Sequence, residues 1–254
     1  MLTYEIIDNN KSDWIVFIHG IGGSTKTWKK QVADFSEKFN LLLLDLPGHG
    51  NNADNIIQKV DLDKLYKGIK DTLDFLKIKA AHFVGLSLGT LVIAEFAIEY
   101  PEYVIDMILG GAVLEVSGIY RECVMAANIL KNCIPYEWLY KFFTWFLMPK
   151  EHHKKSRMIF LRELVKLHKD TMLAWIEYLQ RALRTKETIR KLDKLGKKVL
   201  IISGNEDHCF LRGARKIFRK LHNVKMIVIE HCGHVCSIEK YEEFNRYCLE
   251  YLAA

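Results

Sequence analysis

The sequence predicts an α/β protein in which a mostly parallel sheet of about seven or eight strands is flanked by helices. Short apolar runs alternate with amphipathic segments up to residue 111, and the alternation resumes at residue 196. Such alternation is typical of parallel strands joined by crossover helices that cover both faces of a sheet. Between these two parts lies a long stretch with helical patterns only, which predicts an insertion.

The strands are predicted from short, mainly apolar runs. Runs of this kind favour strands that are buried on both faces. Between them, apolar positions three or four residues apart predict amphipathic helices, one with Trp28, Val32 and Phe35 on one face and another from Leu62 to Leu76. The predicted strands are Trp14–Ile18, Leu41–Leu44, Ala81–Val84, Met107–Leu109, Val199–Ile202 and Met226–Ile229.

The insertion divides the chain into two expected parts. Residues 1–111 and 196–254 should form the core domain, and residues 112–195 an all-helical lid over the ligand-binding edge of the sheet. Pro135 and Pro149 separate helices here, because proline disfavours helix in the residue before it. The predicted helices cover residues 119–133, 136–147, 156–168 and 171–184.

The composition is that of a globular protein, with 50% hydrophobic and 27% charged residues. Residues 1–10 lack the basic and apolar regions of a signal peptide, and no apolar run reaches the ~18 residues of a membrane span. The six cysteines are irregularly spaced, unlike a disulfide framework. These features favour a reduced, cytoplasmic compartment.

The net charge of +6 is unevenly distributed. Residues 112–195 carry 16 Lys and Arg against 9 Asp and Glu, a balance of +7, and the rest of the chain carries 21 against 22, or −1. Such asymmetry could attract nucleic acid or anionic lipid. No nucleic-acid-binding motif accompanies it, so a solvated basic face is favoured and no nucleic-acid partner is expected. The oligomeric state stays open.

The segment Gly85-Leu86-Ser87-Leu88-Gly89 follows a predicted strand and opens a predicted helix. This G-x-S-x-G pattern is typical of a nucleophile elbow. The turn exposes the serine hydroxyl at a helix N-terminus, where backbone N–H groups favour negative charge. Glycines on either side are needed because side chains there would clash. Ser87 is therefore the candidate nucleophile.

A serine nucleophile requires a base and a group that orients the base. Asp207 lies just beyond a predicted strand end, and His234 lies just after the last predicted strand. Catalytic groups in open α/β sheets gather at those carboxyl ends. Glu206 and His231 are the competing acid and base.

With Ser, Asp and His in this chain order, the sequence resembles the α/β-hydrolase family over essentially its whole length. In the family's G-x-x-D pattern the acid corresponds to Asp207, and in its G-x-G-H pattern the base corresponds to His234, with His231 replacing the first glycine. The resemblance implies a fold of this family and a Ser87–Asp207–His234 triad. It also implies that no metal or organic cofactor is needed.

Two further segments are similar to family motifs. Residues 19–24 (HGIGGS) resemble the oxyanion loop, which implies that the backbone N–H groups of Ile21 and Leu88 hold the oxyanion. Residues 45–50 (DLPGHG) resemble a turn that is usually structural, so Asp45 and His49 are not expected to be catalytic.

A zinc site is a competing interpretation of residues 231–236 (HCGHVC) with His208 and Cys209, since imidazole and thiolate bind zinc. The spacing matches no usual ligand pair, and a metal there would occupy the general base. Small buried cysteines are favoured instead.

Aromatic residues crowd positions 136–148. Their presence on every face of the predicted helix indicates burial in the lid core. Alternatively, Phe142 and Trp145 line an apolar acyl pocket over Ser87, or the helix lies on a membrane with nearby lysines beside anionic lipid.

The expected function is hydrolysis of a carboxylic ester of a small, apolar substrate through an acyl-enzyme intermediate. Serine at the elbow argues against dehalogenase and epoxide hydrolase chemistry, in which family members attack through a carboxylate. C–C bond hydrolases, thioesterases, lyases and cofactor-free haloperoxidases of the family use the same triad. A small-ligand receptor with slow hydrolysis is the alternative outside catalysis.

Overall fold

The computed structural model describes residues 1–115, 135–182 and 187–254. Its sheet has seven strands in the order β1-β3-β2-β4-β5-β6-β7. Strand β1 is antiparallel to β3, and every other neighbouring pair is parallel. The predicted mostly parallel sheet is confirmed. The strands are β1 (Thr3–Ile7), β2 (Trp14–Ile18), β3 (Asn40–Asp45), β4 (Ala81–Leu86), β5 (Val104–Gly110), β6 (Lys198–Gly204) and β7 (Val224–Ile229).

Helices flank the sheet, and further helices lie in the described part of the chain between β5 and β6. In the described parts of the chain, no helix is long and apolar enough to cross a membrane. The helices are α1 (Lys29–Ser36), α2 (Leu62–Phe75), α3 (Leu88–Glu99), α4 (Tyr136–Leu147), α5 (Lys154–Leu164), α6 (Lys169–Ala182), α7 (Glu187–Lys194), α8 (Leu211–Phe218), α9 (Cys236–Glu239) and α10 (Tyr241–Leu252).

All six predicted strands are present, most of them longer by one to three residues at an end. Strand β1 is not among the predicted strands. This strand lies at the sheet edge and is only partly buried, so Thr3–Ile7 lacks the continuous apolar run that marks the central strands. Its residues pair with β3 from Thr3 opposite Asp45 to Ile7 opposite Leu41.

The core lies on both faces of the central strands. All six residues of β3 are buried, which explains its uninterrupted leucines. On one face, the ring of Phe17 packs against Trp28 and Phe35, with centroids 4.9 and 5.4 Å apart. These contacts place α1 against the sheet and confirm that Trp28 and Phe35 face the core.

Helices α4 to α7 form a helical segment that is attached to the core by buried polar contacts. The indole N–H of Trp175 donates to the carbonyl of Pro47 at 3.1 Å, and Tyr178 donates to the carboxylate of Glu95 at 2.7 Å. The division into residues 1–111 and 196–254 against 112–195 stays a prediction. The helix predicted over 119–133 lies outside the described residues.

Gly89 lies where α3 begins against the end of β2, and a side chain there would have no room. A Cβ atom at Gly89 would lie 2.1 Å from the carbonyl oxygen of Ile18. We therefore expect Gly89→Ala to lower the free energy of unfolding by about 3 kcal/mol or more, because backbone rather than a flexible side chain would have to move. Urea unfolding would measure the change.

Gly68→Ala in α2 is the matched control. A Cβ atom there would lie 3.2 Å from the flexible Leu2 side chain, and alanine favours helix by about 1 kcal/mol over glycine. Equal losses in the two variants would show that the backbone contact at Gly89 is not a special constraint.

Candidate active site

The turn from β4 to α3 holds Ser87 in an unusual backbone conformation, with φ 53° and ψ −120°. The Ser87 N–H donates to the carbonyl of Gly110 at 2.9 Å, and the Thr90 hydroxyl donates to the Ser87 carbonyl at 2.6 Å. A Cβ atom at Gly85 would lie 2.9 Å from the carbonyl carbon of Gly89. The surroundings therefore impose the strained φ, as is common at functional sites.

The structure brings Ser87, Asp207 and His234 together in one hydrogen-bonded chain. His234 Nε2 lies 2.8 Å from Ser87 Oγ, and His234 Nδ1 lies 2.8 Å from Asp207 Oδ2. Both Asp207 and His234 are 1% exposed. The carboxylate can only accept here, so Nδ1–H donates to it and Nε2 accepts the serine proton. This is the arrangement that a serine nucleophile and a histidine base require.

The three residues meet because each follows the carboxyl end of a parallel strand, namely β4, β6 and β7. Asp207 Oδ1 also accepts the N–H of Phe210 at 3.0 Å, and the Phe210 ring lies 4.6 Å from the His234 ring. A Cβ atom at Gly204 would lie 2.1 Å from the carbonyl oxygen of Cys232. The acid and base loops are therefore packed directly on each other.

Glu206, the competing acid, faces away from His234. Its carboxylate accepts from Lys150 and His152 at 2.7 Å and from His153 at 2.8 Å. Although burial opposes ionisation, these hydrogen bonds lower the pKa of Glu206 to about 2. Glu206 thus connects the loop between α4 and α5 to the core.

His231, the competing base, is also apart from the hydrogen-bonded chain. Its side chain is 80% exposed, and its Nδ1 lies 3.8 Å from Glu206 Oε1. Its φ of 51° is one that glycine adopts more readily, which agrees with the glycine expected at this position.

The predicted oxyanion loop lies against the serine. A Cβ atom at Gly20 would lie 3.0 Å from the Ser87 Cβ atom. Within residues 1–115, 135–182 and 187–254, the backbone N–H groups of Ile21 and Leu88 have no hydrogen-bond acceptor. The two N–H groups predicted to hold the oxyanion therefore have no acceptor within these ranges, and their role stays a prediction.

Buried histidines hold the oxyanion loop in place. His49 Nε2 accepts the N–H of Gly22 at 3.0 Å, and His19 Nε2 accepts the N–H of Leu46 at 3.1 Å. Burial lowers the pKa of His19, and burial together with the neighbouring His19 lowers the pKa of His49 to about 3. Asp45 accepts the N–H of Thr25 at 2.8 Å. Among the described residues, none of these three side chains forms a hydrogen bond with Ser87 Oγ or His234.

The cysteines of residues 231–236 are buried, and burial raises the pKa of Cys236 to about 12. In the described part of the chain, the one group of three candidate metal ligands is His152, His153 and Glu206, whose ligand atoms lie within 4.8 Å of one another. The Lys150 ammonium already occupies one Glu206 oxygen. The predicted zinc alternative with His208 and Cys209 does not form such a group among these residues.

A cavity of about 820 Å³ opens above Ser87. Its lining comes partly from α5, whose residues 156, 159, 160 and 163 share one face. This helix was not predicted to line a pocket, although the spacing of three and four residues is visible in the sequence. Apolar and weakly polar lining residues include Leu86, Ser156, Ile159, Phe160, Val235 and Ile238.

Phe142 and Trp145 do not line this cavity, which corrects the acyl-pocket expectation. Helix α4 buries Tyr140, Thr144 and Leu147, which share one face. Trp138, Phe142 and Trp145 lie elsewhere on the helix and are 67, 52 and 52% exposed. Burial inferred from apolar residues on every face was therefore wrong for this part of the helix.

Comparison with known proteins identifies the family of the chain. A model of the alpha/beta hydrolase family matches residues 15–247. The chain belongs to this family. It is 24% identical over 246 residues to a protein of Escherichia coli (strain SMS-3-5 / SECEC) provisionally named carbamate hydrolase RutD, covering 94% of this chain and 90% of that one.

A second relative is the 2-hydroxy-6-oxo-6-phenylhexa-2,4-dienoate hydrolase of Comamonas testosteroni. It is 25% identical over 254 residues, covering 94% of this chain and 87% of that one. Among solved structures, a carboxylesterase of Nitrososphaera gargenis has a TM-score of 0.85 at 19% identity, covering 99% of this chain and 93% of that chain. That likeness concerns the fold.

The buried histidines predict a loss of stability in acid. Because the pKa of His49 is about 3 in the folded chain and about 6.5 when unfolded, the unfolded state binds the extra proton between these values. Stability should therefore fall as pH falls through this range, by up to about 1.4 kcal/mol per pH unit for each such histidine. In His49→Gln, the slope of unfolding free energy against pH below about pH 6.5 should be smaller by the contribution of one proton, about 1.4 kcal/mol per pH unit. Urea unfolding between pH 4.5 and 7.5 would measure it.

The wild type, measured over the same pH range, is the reference. A slope in His49→Gln equal to that of the wild type would contradict the buried neutral histidine.

Proposed function

We propose that this chain is a serine hydrolase that cleaves a carboxylic ester through an acyl-enzyme intermediate. The observation that carries the proposal is the hydrogen-bonded chain from Ser87 through His234 to Asp207, with 2.8 Å at each step. A buried carboxylate fixes the imidazole tautomer, and the imidazole is then placed to accept the serine proton.

The reaction proceeds in two halves. Ser87 Oγ attacks the ester carbonyl carbon while its proton passes to His234 Nε2. The backbone N–H groups of Ile21 and Leu88 hold the oxyanion, each worth about 3 kcal/mol. The tetrahedral intermediate collapses as His234 gives the proton to the leaving alcohol. Water, deprotonated by His234, then attacks the acyl-enzyme and releases the acid, and the proton returns to Ser87.

The helical segment α4–α7 acts as a lid in this proposal. Helix α5 contributes Ile159 and Phe160 to the cavity above Ser87, and Val235 and Ile238 line the same cavity. An ester with an apolar part next to the scissile bond fits such a lining.

C–C bond hydrolysis is the second candidate, and the Comamonas testosteroni relative favours it. The fold likeness to a carboxylesterase gives no preference on chemistry. Turnover of simple aryl esters alone would not exclude this candidate, so kcat/KM for an ester should be compared with that for a vinylogous diketo acid. A larger value for the ester supports the proposal.

Ser87→Ala should abolish hydrolysis while leaving the fold intact, because Ser87 is the attacking group and its Cβ atom is retained. A fluorophosphonate probe followed by peptide mass spectrometry should label Ser87 in the wild-type chain. Circular dichroism checks the fold of the variant. Labelling of another residue would refute this nucleophile, and one burst without further turnover would favour a receptor.

The two neighbouring acids give a matched pair of variants. Asp207→Asn should lower kcat by about 10⁴-fold, because the amide favours the wrong imidazole tautomer. Glu206→Gln should lower kcat far less, because Glu206 contacts the loop between α4 and α5 and not His234. Steady-state kinetics on one aryl ester would compare them. The reverse order of losses would assign the acid to Glu206.

A further inference from the structure

Lysines concentrate around the cavity above Ser87. Five of them border it, and they come from three separate segments of the chain. Lys26, Lys29 and Lys30 lie at and just before the start of α1, Lys155 lies in the first turn of α5, and Lys240 directly precedes α10. Four of these side chains are exposed and Lys240 is partly buried, so they form a rim rather than the floor of the cavity.

The positive charge of this lysine rim is not neutralised locally. In the described ranges, none of the five ammonium groups forms an ion pair with a carboxylate. Lys30 instead lies over the ring of Tyr241, 4.7 Å from its centroid.

The two carboxylates that border the cavity already have partners. Glu163 pairs with Lys166, with 2.6 Å between the charged atoms. Glu239 accepts the N–H of Gly233 at 2.9 Å and lies 3.5 Å from His153 Nε2. Among the described residues, neither carboxylate forms an ion pair with a lysine of the rim.

This balance differs from that of the chain as a whole. The sequence has 37 Lys and Arg against 31 Asp and Glu, whereas the cavity is bordered by five lysines and two glutamates. Like charges gathered at a concave surface focus a field that attracts oppositely charged ligands. The cavity lining also has an apolar part, to which Leu86, Val235 and Phe160 contribute.

We propose that the substrate is an anionic ester, whose scissile bond and apolar part lie near Ser87 and whose acid group points to the lysine rim. This inference rests on the proposed ester hydrolysis for its reaction, and on the lysines for its charge. It changes the expectation of a purely apolar substrate into that of an amphiphilic one.

Two esters whose acyl chains both have six carbons test the charge directly. Mono(4-nitrophenyl) adipate ends in a carboxylate, and 4-nitrophenyl hexanoate ends in a methyl group. The ratio of their kcat/KM values should favour the adipate by at least several-fold at low salt, since each nearby lysine contributes a few-fold. The ratio should fall as ionic strength rises, because exposed charges are screened.

Variants locate the effect at the rim. Lys155→Gln and Lys30→Gln should each lower the adipate-to-hexanoate ratio a few-fold. Their controls make the same change in charge nearby but away from the cavity. Lys154→Gln alters the neighbouring residue on α5, which pairs with Glu151, and Lys38→Gln alters an exposed lysine beyond the end of α1. Both controls should keep the wild-type ratio.

A binding measurement separates this inference from the proposed reaction. Calorimetric titration of Ser87→Ala with each ester needs no turnover, and the adipate should bind several-fold more tightly at low salt. Equal affinities, or a preference that Lys154→Gln and Lys38→Gln abolish as strongly as the rim variants, would overturn the anionic substrate. If the preference holds in binding but the wild type hydrolyses neither ester, the rim stands and the proposed ester hydrolysis fails.

Discussion

The close approach of three backbone segments around Ser87 is the constraint on which the site depends. Gly89 lies directly on the carbonyl of Ile18 at the end of β2, and Gly85 lies against Gly89. Only a turn without side chains at both positions lets α3 start this near the sheet. The Ser87 backbone must then adopt a positive φ of 53°, which directs the hydroxyl out of the turn.

The loop that lies against this turn is held by buried polar side chains. His49 and His19 occupy the interior of the protein as neutral acceptors for backbone N–H groups. A protonated imidazole has no free nitrogen lone pair and could not accept these hydrogen bonds. Burial favours the neutral ring, which is the form that can accept them. They fix the loop that carries Ile21, whose N–H has no acceptor among the residues that the structure describes.

Much of the fold could be predicted because the central strands are buried on both faces. Their apolar runs have one explanation, and the boundaries differ by only a few residues. Edge strand β1 lacks such a run, because its partial exposure allows polar residues such as Glu5. The pairing of Ser87 with His234 followed from motif order, because each lies at a strand end that the topology fixes.

The sequence was a poorer guide to which side chains of the lid helices are exposed to solvent. The aromatic residues of α4 predicted burial on all sides. Which face of the helix is buried depends on the packing of the lid, and the sequence pattern does not contain that information. Phe142 and Trp145 are half exposed for this reason, and α5 faces the cavity. The lysine rim was equally hidden, because its members come from three segments that only folding brings together.

Glu206 and Asp207 are neighbours in the chain, but their side chains bind different parts of the protein. Both follow β6, and neighbouring side chains in such a segment point in different directions. Asp207 is directed inward to His234, whereas Glu206 is directed to Lys150, His152 and His153. The loop that begins α5 is therefore attached one residue from the proposed catalytic acid. Helix α5 also carries Lys155 and Phe160. The hydrogen bonds of Glu206 therefore help to position both a charged and an apolar residue of the cavity lining relative to Ser87.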